Sequence, residues 1–220
     1  FAAPLTRLIG DCMTPIVNST LLKIGQILVA SADSNPIIMG IILGGIITVV
    51  ATAPLSSMAL TAMLGLTGVP MAIGALSVFG SSFLNLVLFK KMKFGSKKDT
   101  ISVAIEPLTQ ADIITANPIP IYVTNFIGGA LCGIIIVIME LVNMSPGTAT
   151  PIAGFAVMFA YNPPFKVLLT ALCCAVISAG SGYLGYIMFK NYKIKTTSEI
   201  RGNNTKANKK SYETLNEKFS

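Results

Sequence analysis

The chain contains no histidine and no tryptophan, and only 11% of its 220 residues are charged. Each scarcity excludes something. Without histidine the commonest general base, metal ligand and phosphoryl acceptor is missing, so a conventional hydrolytic triad cannot be built. The nine acidic residues form no pair spaced for acid–base work, and no glycine-rich phosphate loop follows a strand. The four cysteines, Cys12, Cys132, Cys173 and Cys174, have no C-x-x-C spacing and read as small packing residues. Soluble domains carry about a quarter charged residues, so a charge content this low excludes an ordinary soluble domain. No catalytic residue, metal or cofactor is expected from the chain's own side chains.

What is present is apolar. Hydrophobic residues make up 53% and the mean hydropathy is +0.72. Residues 34–89 include no charged side chain. About 20 residues suffice to cross a bilayer, so that stretch holds more than one pass. The net charge of +7 does not point to nucleic acid, because the basic residues flank apolar runs instead of covering a polar face. The partner of first resort is the lipid bilayer. The chain starts at Phe1 without a signal-peptide pattern. Further residues are therefore expected upstream, and any number of crossings is a minimum.

Residues 1–35 alternate apolar positions with Arg7, Asp11, Lys23 and Gln26, which predicts an amphipathic segment lying in the interface, with a spanning helix as the alternative. Residues 36–190 form the membrane domain. Crossings are expected over 36–50, 69–89, 119–142 and 167–189. Two Pro-interrupted apolar stretches, 51–68 and 151–165, are too broken or too short to cross. Thr52-Ala53-Pro54 and Ala149-Thr150-Pro151 head these two stretches alike, and paired broken segments are a pointer to a transporter's binding site. Lys90, Lys91, Lys93, Lys97 and Lys98 make a basic loop, and Lys190, Lys193, Lys195 and Arg201 follow the last crossing. The positive-inside rule puts both segments in the cytoplasm. Residues 191–220 are polar and read as a disordered basic cytoplasmic tail.

The stretch from 101 to 133, ISVAIEPLTQADIITANPIPIYVTNFIGGALCG, does not fit a straight crossing. It carries Glu106 and Asp112 and is interrupted by Pro107, Pro118 and Pro120. A carboxylate at the centre of a bilayer costs roughly 2.5–3.5 kcal/mol on insertion scales, and broken backbone is tolerated only where it is buried in protein or lines a cavity. The expectation is a re-entrant hairpin presenting Glu106 to a solute, against the alternative of a loop carboxylate at the interface. Gln110, Asp112 and Asn125 are further candidate ligand contacts. Asn117 is a candidate contact or a closing residue of the hairpin.

Ala104-Ile105-Glu106-Pro107, then Asn117-Pro118, Ile119-Pro120, Gly128-Gly129 and Thr150-Pro151, resemble the hairpin and T-P motifs of the EIIC membrane components of the phosphotransferase system. The stand-alone branch that includes perfringolysin O regulator-type proteins is the most similar in flavour. The resemblance covers about residues 1–190, the C-terminal half of such a protein, and implies an all-α polytopic fold of spanning helices and re-entrant hairpins. It implies that Glu106 hydrogen-bonds the hydroxyls of a sugar or polyol, that an EIIB phosphocarrier phosphorylates the sugar from the cytoplasmic side, and that the protein is a homodimer of the bacterial cell membrane. Ala104 stands where the family has glycine, and the histidine that often faces the sugar is missing. Two alternatives follow: a membrane sensor that binds a sugar-like ligand without moving it, and an ion-coupled secondary transporter.

Overall fold

The computed structural model describes residues 35–202, together with positions 23, 25–27 and 30. The interfacial segment expected over residues 1–35 lies almost entirely outside the described residues. Among those described, the secondary structure is helical, and a single bridge between Gly68 and Asn143 is the only β-type pairing.

The prolines that break the apolar runs begin helices. A proline in the first turn costs no hydrogen bond, because that N–H has no intrahelical partner. Helix α1 (Pro36–Thr52) starts on Pro36, with Asn35 as cap: its side chain accepts from the Ile37 N–H at 3.0 Å. It stops at Thr52, as Ala53 turns extended ahead of Pro54. Helix α2 (Ser57–Met63) is short and capped by Ser56. Helix α3 (Val69–Met92) enters through Gly68 at φ 70° and ends in Lys93, a non-glycine residue in the left-handed region at φ 57°. Helix α4 (Lys97–Ile105) is opened by a capping box between Ser96 and Asp99 and halted by Pro107. A 3₁₀ turn (Pro107–Gln110) and α5 (Ala111–Ala116) lead to α6 (Pro118–Ile138). Helix α7 (Pro151–Val157) is followed by the 3₁₀ turn Met158–Ala160, and α8 (Pro164–Phe189) closes the bundle.

By length and composition α3, α6 and α8 can cross a membrane. The 21 residues of α6 rise about 31 Å, matching a hydrocarbon core of about 30 Å. The expected first crossing, α1, has 17 residues and sits at the lower limit of spanning length, about 17. Helix α3 is the axis: 72% of its most apolar window is buried, and α1, α4, α6, α7 and α8 all pack on it. Helix α8 is the most peripheral of the three, with Phe165, Leu168, Leu172, Val176, Leu184 and Met188 exposed at helical spacing, an apolar stripe suited to lipid.

Helices α1 and α6 touch backbone to backbone. A Cβ on Gly40 would lie 2.8 Å from the carbonyl oxygen of Gly133, and one on Gly44 would overlap that of Gly129. Thr48 Oγ1 donates to the Asn125 carbonyl at 2.9 Å across the same contact. This is the small-xxx-small pairing that lets membrane helices approach closely when hydrophobicity alone gives no drive between them.

Two apolar clusters fill the bundle. One gathers Leu43, Ile47, Met71, Leu76, Ile136 and Met158 near the end where α2 and α7 sit. The other gathers Leu84, Leu88, Phe89, Phe94, Ile113 and Ile121 beneath α4 and α5.

Candidate functional site

Two broken segments enter the bundle from opposite ends. The first is residues 97–116. Both of its ends lie against the segment that follows α8: the Thr197 N–H and hydroxyl donate to the Phe94 carbonyl at 2.8 and 3.0 Å, and the Asn117 amide clasps Lys195. The chain therefore goes in along α4, turns at Glu106–Pro107 and returns. This is the re-entrant hairpin expected from the prolines.

The second is residues 141–163, held at the other end. The Asn162 side chain pairs with the Val142 N–H and carbonyl at 2.9 and 2.7 Å, Asn143 bridges Gly68, and the Ser57 hydroxyl donates to the Ala149 carbonyl at 2.8 Å. Its inward tip is Thr150-Pro151, where α7 begins. The paired Pro-headed stretches thus meet in space, with Ser57 of the first bonded to Ala149 of the second.

The tips of the two inward segments share an open cleft of about 320 Å³, lined by Ala104 and Ile105 at the end of α4, Pro151 and Ile152 at the start of α7, and Phe79, Ser82 and Phe83 on α3. Ligand pockets run from about 300 Å³ upward and are mostly apolar with a few placed polar groups. The Ser82 hydroxyl is the polar group here, and it is buried with no hydrogen-bond partner among the described residues. One turn along α3, Asn85 Nδ2 is also buried and unsatisfied, as is Oδ1 of Asn125, whose Nδ2 donates to Asn85 Oδ1 at 2.8 Å. Buried polar groups without partners are rare, and each one costs about 1–3 kcal/mol. The three lie within one turn of α3 and on its α6 neighbour, and of them only Ser82 borders the cleft.

The five residues singled out in the sequence separate into four groups. Glu106 follows the cleft residue Ile105 directly. It is exposed, and its side chain has no protein partner among the described residues; its backbone carbonyl accepts from the Thr109 hydroxyl at 2.7 Å. Gln110 and Asp112 come together around Arg201. That guanidinium donates from Nε to Asp112 at 2.9 Å, from Nη2 to Gln110 Oε1 at 3.0 Å, and from Nη1 to Asp99 at 2.9 Å. Asn117 is fully buried: its amide donates to the carbonyls of Ile113 and Lys195 at 3.0 and 2.8 Å and accepts from the Lys195 N–H at 2.7 Å. Asn125 sits apart, on the α3–α6 contact.

Burial pushes the Asp99 carboxyl up. The Ser96 hydroxyl and N–H and the Arg201 guanidinium outweigh that and hold it below its ordinary value. The Asp112 hydrogen bond, and then Asp99, raise Arg201 further. In the part of the expected tail that is described, Ile194 and Ile200 pack on the apolar cluster beneath α4, and residues 197–202 are helical. The remainder of the expected tail lies outside the described residues.

From the sequence, Ser82, Asn85 and Asp99 carry no candidate role and Arg201 only a topological one. The available signal for the first two was polar residues at i and i+3 inside an uncharged crossing.

The family description "Phosphotransferase system, EIIC" matches residues 1–201. The chain belongs to the phosphotransferase system EIIC family. Neither a search of curated proteins nor one of solved structures returned a match. As an EIIC chain it is a multi-pass membrane component of a sugar phosphotransferase system, with a sugar as substrate and an EIIB protein as partner. The match is to EIIC as a whole and does not carry the regulator-type resemblance.

Proposed function

We propose that this EIIC chain binds a neutral sugar or polyol in the cleft where the two inward tips meet, and translocates it for phosphorylation by EIIB. The convergence of Ala104–Ile105 and Pro151–Ile152 over a Ser82 hydroxyl without a partner among the described residues, with Glu106 the next residue along the chain, supports this reading most strongly. An unpaired carboxylate accepts hydrogen bonds from hydroxyls and repels anions, which favours neutral polyhydroxylated ligands. In this reading Glu106 accepts from the sugar, Ser82 contributes a second hydrogen bond, and Asn125, bonded to Asn85, is the polar contact behind it. Gln110 and Asp112, through Arg201, and Asn117, through Lys195, set the hairpin so that Glu106 stays at the tip. The basic end faces the cytoplasm, the tail following α8 is cytoplasmic, and the protein works as a homodimer in a bacterial cell membrane.

Vesicles containing the full chain test the proposal. Uptake of a sugar is expected only when phosphoenolpyruvate, the general phosphocarriers and the matching EIIB are supplied on the side of the basic segments, and the product inside is the sugar phosphate. Uptake driven by a proton gradient alone would instead make it a secondary transporter.

A second reading is a sensor that binds the sugar without moving it. The lack of histidine and the alanine at position 104 favour it. Saturable sugar binding with no EIIB-dependent uptake is its expected signature.

A further inference from the structure

A second cleft lies at the basic end, between the last turns of α3 and the first turns of α4. It has a volume of about 360 Å³ and is lined by Lys90, Lys93, Lys97, Thr100, Leu86 and Ile101. All three lysines are exposed, and none has an acidic partner among the described residues. The acids that could neutralise them are committed elsewhere, Asp99 to Ser96 and Arg201, and Asp112 to Arg201. Lys91 points away from the group, with its ammonium 5.2 Å from the Tyr183 ring. Lys93 occupies a left-handed position at φ 57° that glycine or asparagine would take more cheaply. The positive charge of this cleft is therefore concentrated and unanswered.

Its lower wall is apolar and continuous. Leu86 and Ile101 line this cleft and also the one beneath it. With Phe83 they form an exposed strip running from the ammonium groups down the flank of α3 and α4, Ile101 being 57% exposed. Lys90 is in the last turn of a spanning helix, so the charged part sits at the level of the lipid headgroups and the strip at the level of the acyl chains.

We propose that this groove binds an anionic phospholipid. Its phosphate lies among Lys90, Lys93 and Lys97, and one acyl chain follows Leu86, Phe83 and Ile101. A zwitterionic lipid would bring its own cation against three ammoniums. A free phosphate would leave the apolar strip uncovered. Basic clusters just beyond a membrane helix attract anionic lipid, and the strip supplies what a surface polybasic patch lacks. Leu86, Phe83 and Ile101 also line the cleft proposed for the sugar, so the acyl chain and the sugar compete for that wall, whether the sugar is transported or only sensed.

Native mass spectrometry of the full chain in detergent tests this, with dioleoyl phosphatidylglycerol, dioleoyl phosphatidylcholine or inorganic phosphate added. Phosphatidylglycerol should be retained at least about tenfold more tightly than phosphatidylcholine. The variant K90Q/K93Q/K97Q should erase that preference, whereas K190Q/K193Q keeps it. Inorganic phosphate should not displace the lipid. Ile101→Trp, at an exposed position, fills the strip and should shed phosphatidylglycerol with every lysine in place. Equal retention of the two lipids would overturn the proposal. So would an equal effect of the two lysine variants, displacement by inorganic phosphate, or full retention by Ile101→Trp.

Discussion

Arg201 and Asn117 show how single side chains tie distant parts of this chain together. Arg201 bonds Asp99, Gln110 and Asp112, fixing both arms of the Glu106 hairpin to the segment after α8. The pairing is half in solvent, since the Arg201 side chain is 46% exposed and that of Asp99 8%. It is worth on the order of 1 kcal/mol and not more. Because the folded state holds the Asp99 carboxyl below its ordinary value, this contribution is present above the unfolded carboxylate range. It is lost as pH falls through the depressed folded value. Asp99→Asn should therefore melt below the parent chain by an amount that is constant from about pH 8 to pH 5 and shrinks below about pH 4. A gap that instead widens in acid would rule out the ion pair as its source.

At the scale of elements, the α1–α6 crossing and the two inward hairpins carry the architecture. Gly133→Leu would push a side chain into the Gly40 carbonyl. It should cost about 1–3 kcal/mol by overpacking, read as a lower melting temperature in detergent. Gly180→Leu, on α8 with open space around it, serves as the control and should change little. The helices themselves were legible because uncharged runs of spanning length have few alternatives, and because a proline ahead of an apolar run reads as a helix start as readily as a helix break. The hairpin at Glu106 was legible for the same reason: Pro107 and a carboxylate together cannot continue a crossing.

Other features were not legible. Residues 194–202 lack apolar periodicity, and their order comes from tertiary contacts: Ile194 and Ile200 on a distant cluster, Thr197 on Phe94. No local pattern announces that Arg201 will find Asp99 and Asp112. Nor can a sequence reveal that the Ser82 hydroxyl ends up unsatisfied, since satisfaction depends on neighbours from α4 and α7.

For the whole molecule, the basic end and the end carrying Asn143 and Asn162 lie on opposite sides of the bundle, and the proposed topology turns on which faces the cytoplasm. Lys98→Cys and Met144→Cys, both at exposed positions, separate the options when the other cysteines are replaced by alanine. A membrane-impermeant maleimide should label position 144 in intact cells and position 98 only after lysis. The reverse pattern would invert the protein and place EIIB on the wrong side. Equilibrium binding of the transported sugar to purified protein shows whether sugar is held at the meeting of the two inward tips. Glu106 is exposed and makes no side-chain bond within the described protein, so Glu106→Gln should leave the melting temperature unchanged. It should weaken sugar binding at least about tenfold, roughly 1.4 kcal/mol. Undiminished sugar affinity in Glu106→Gln would contradict the account.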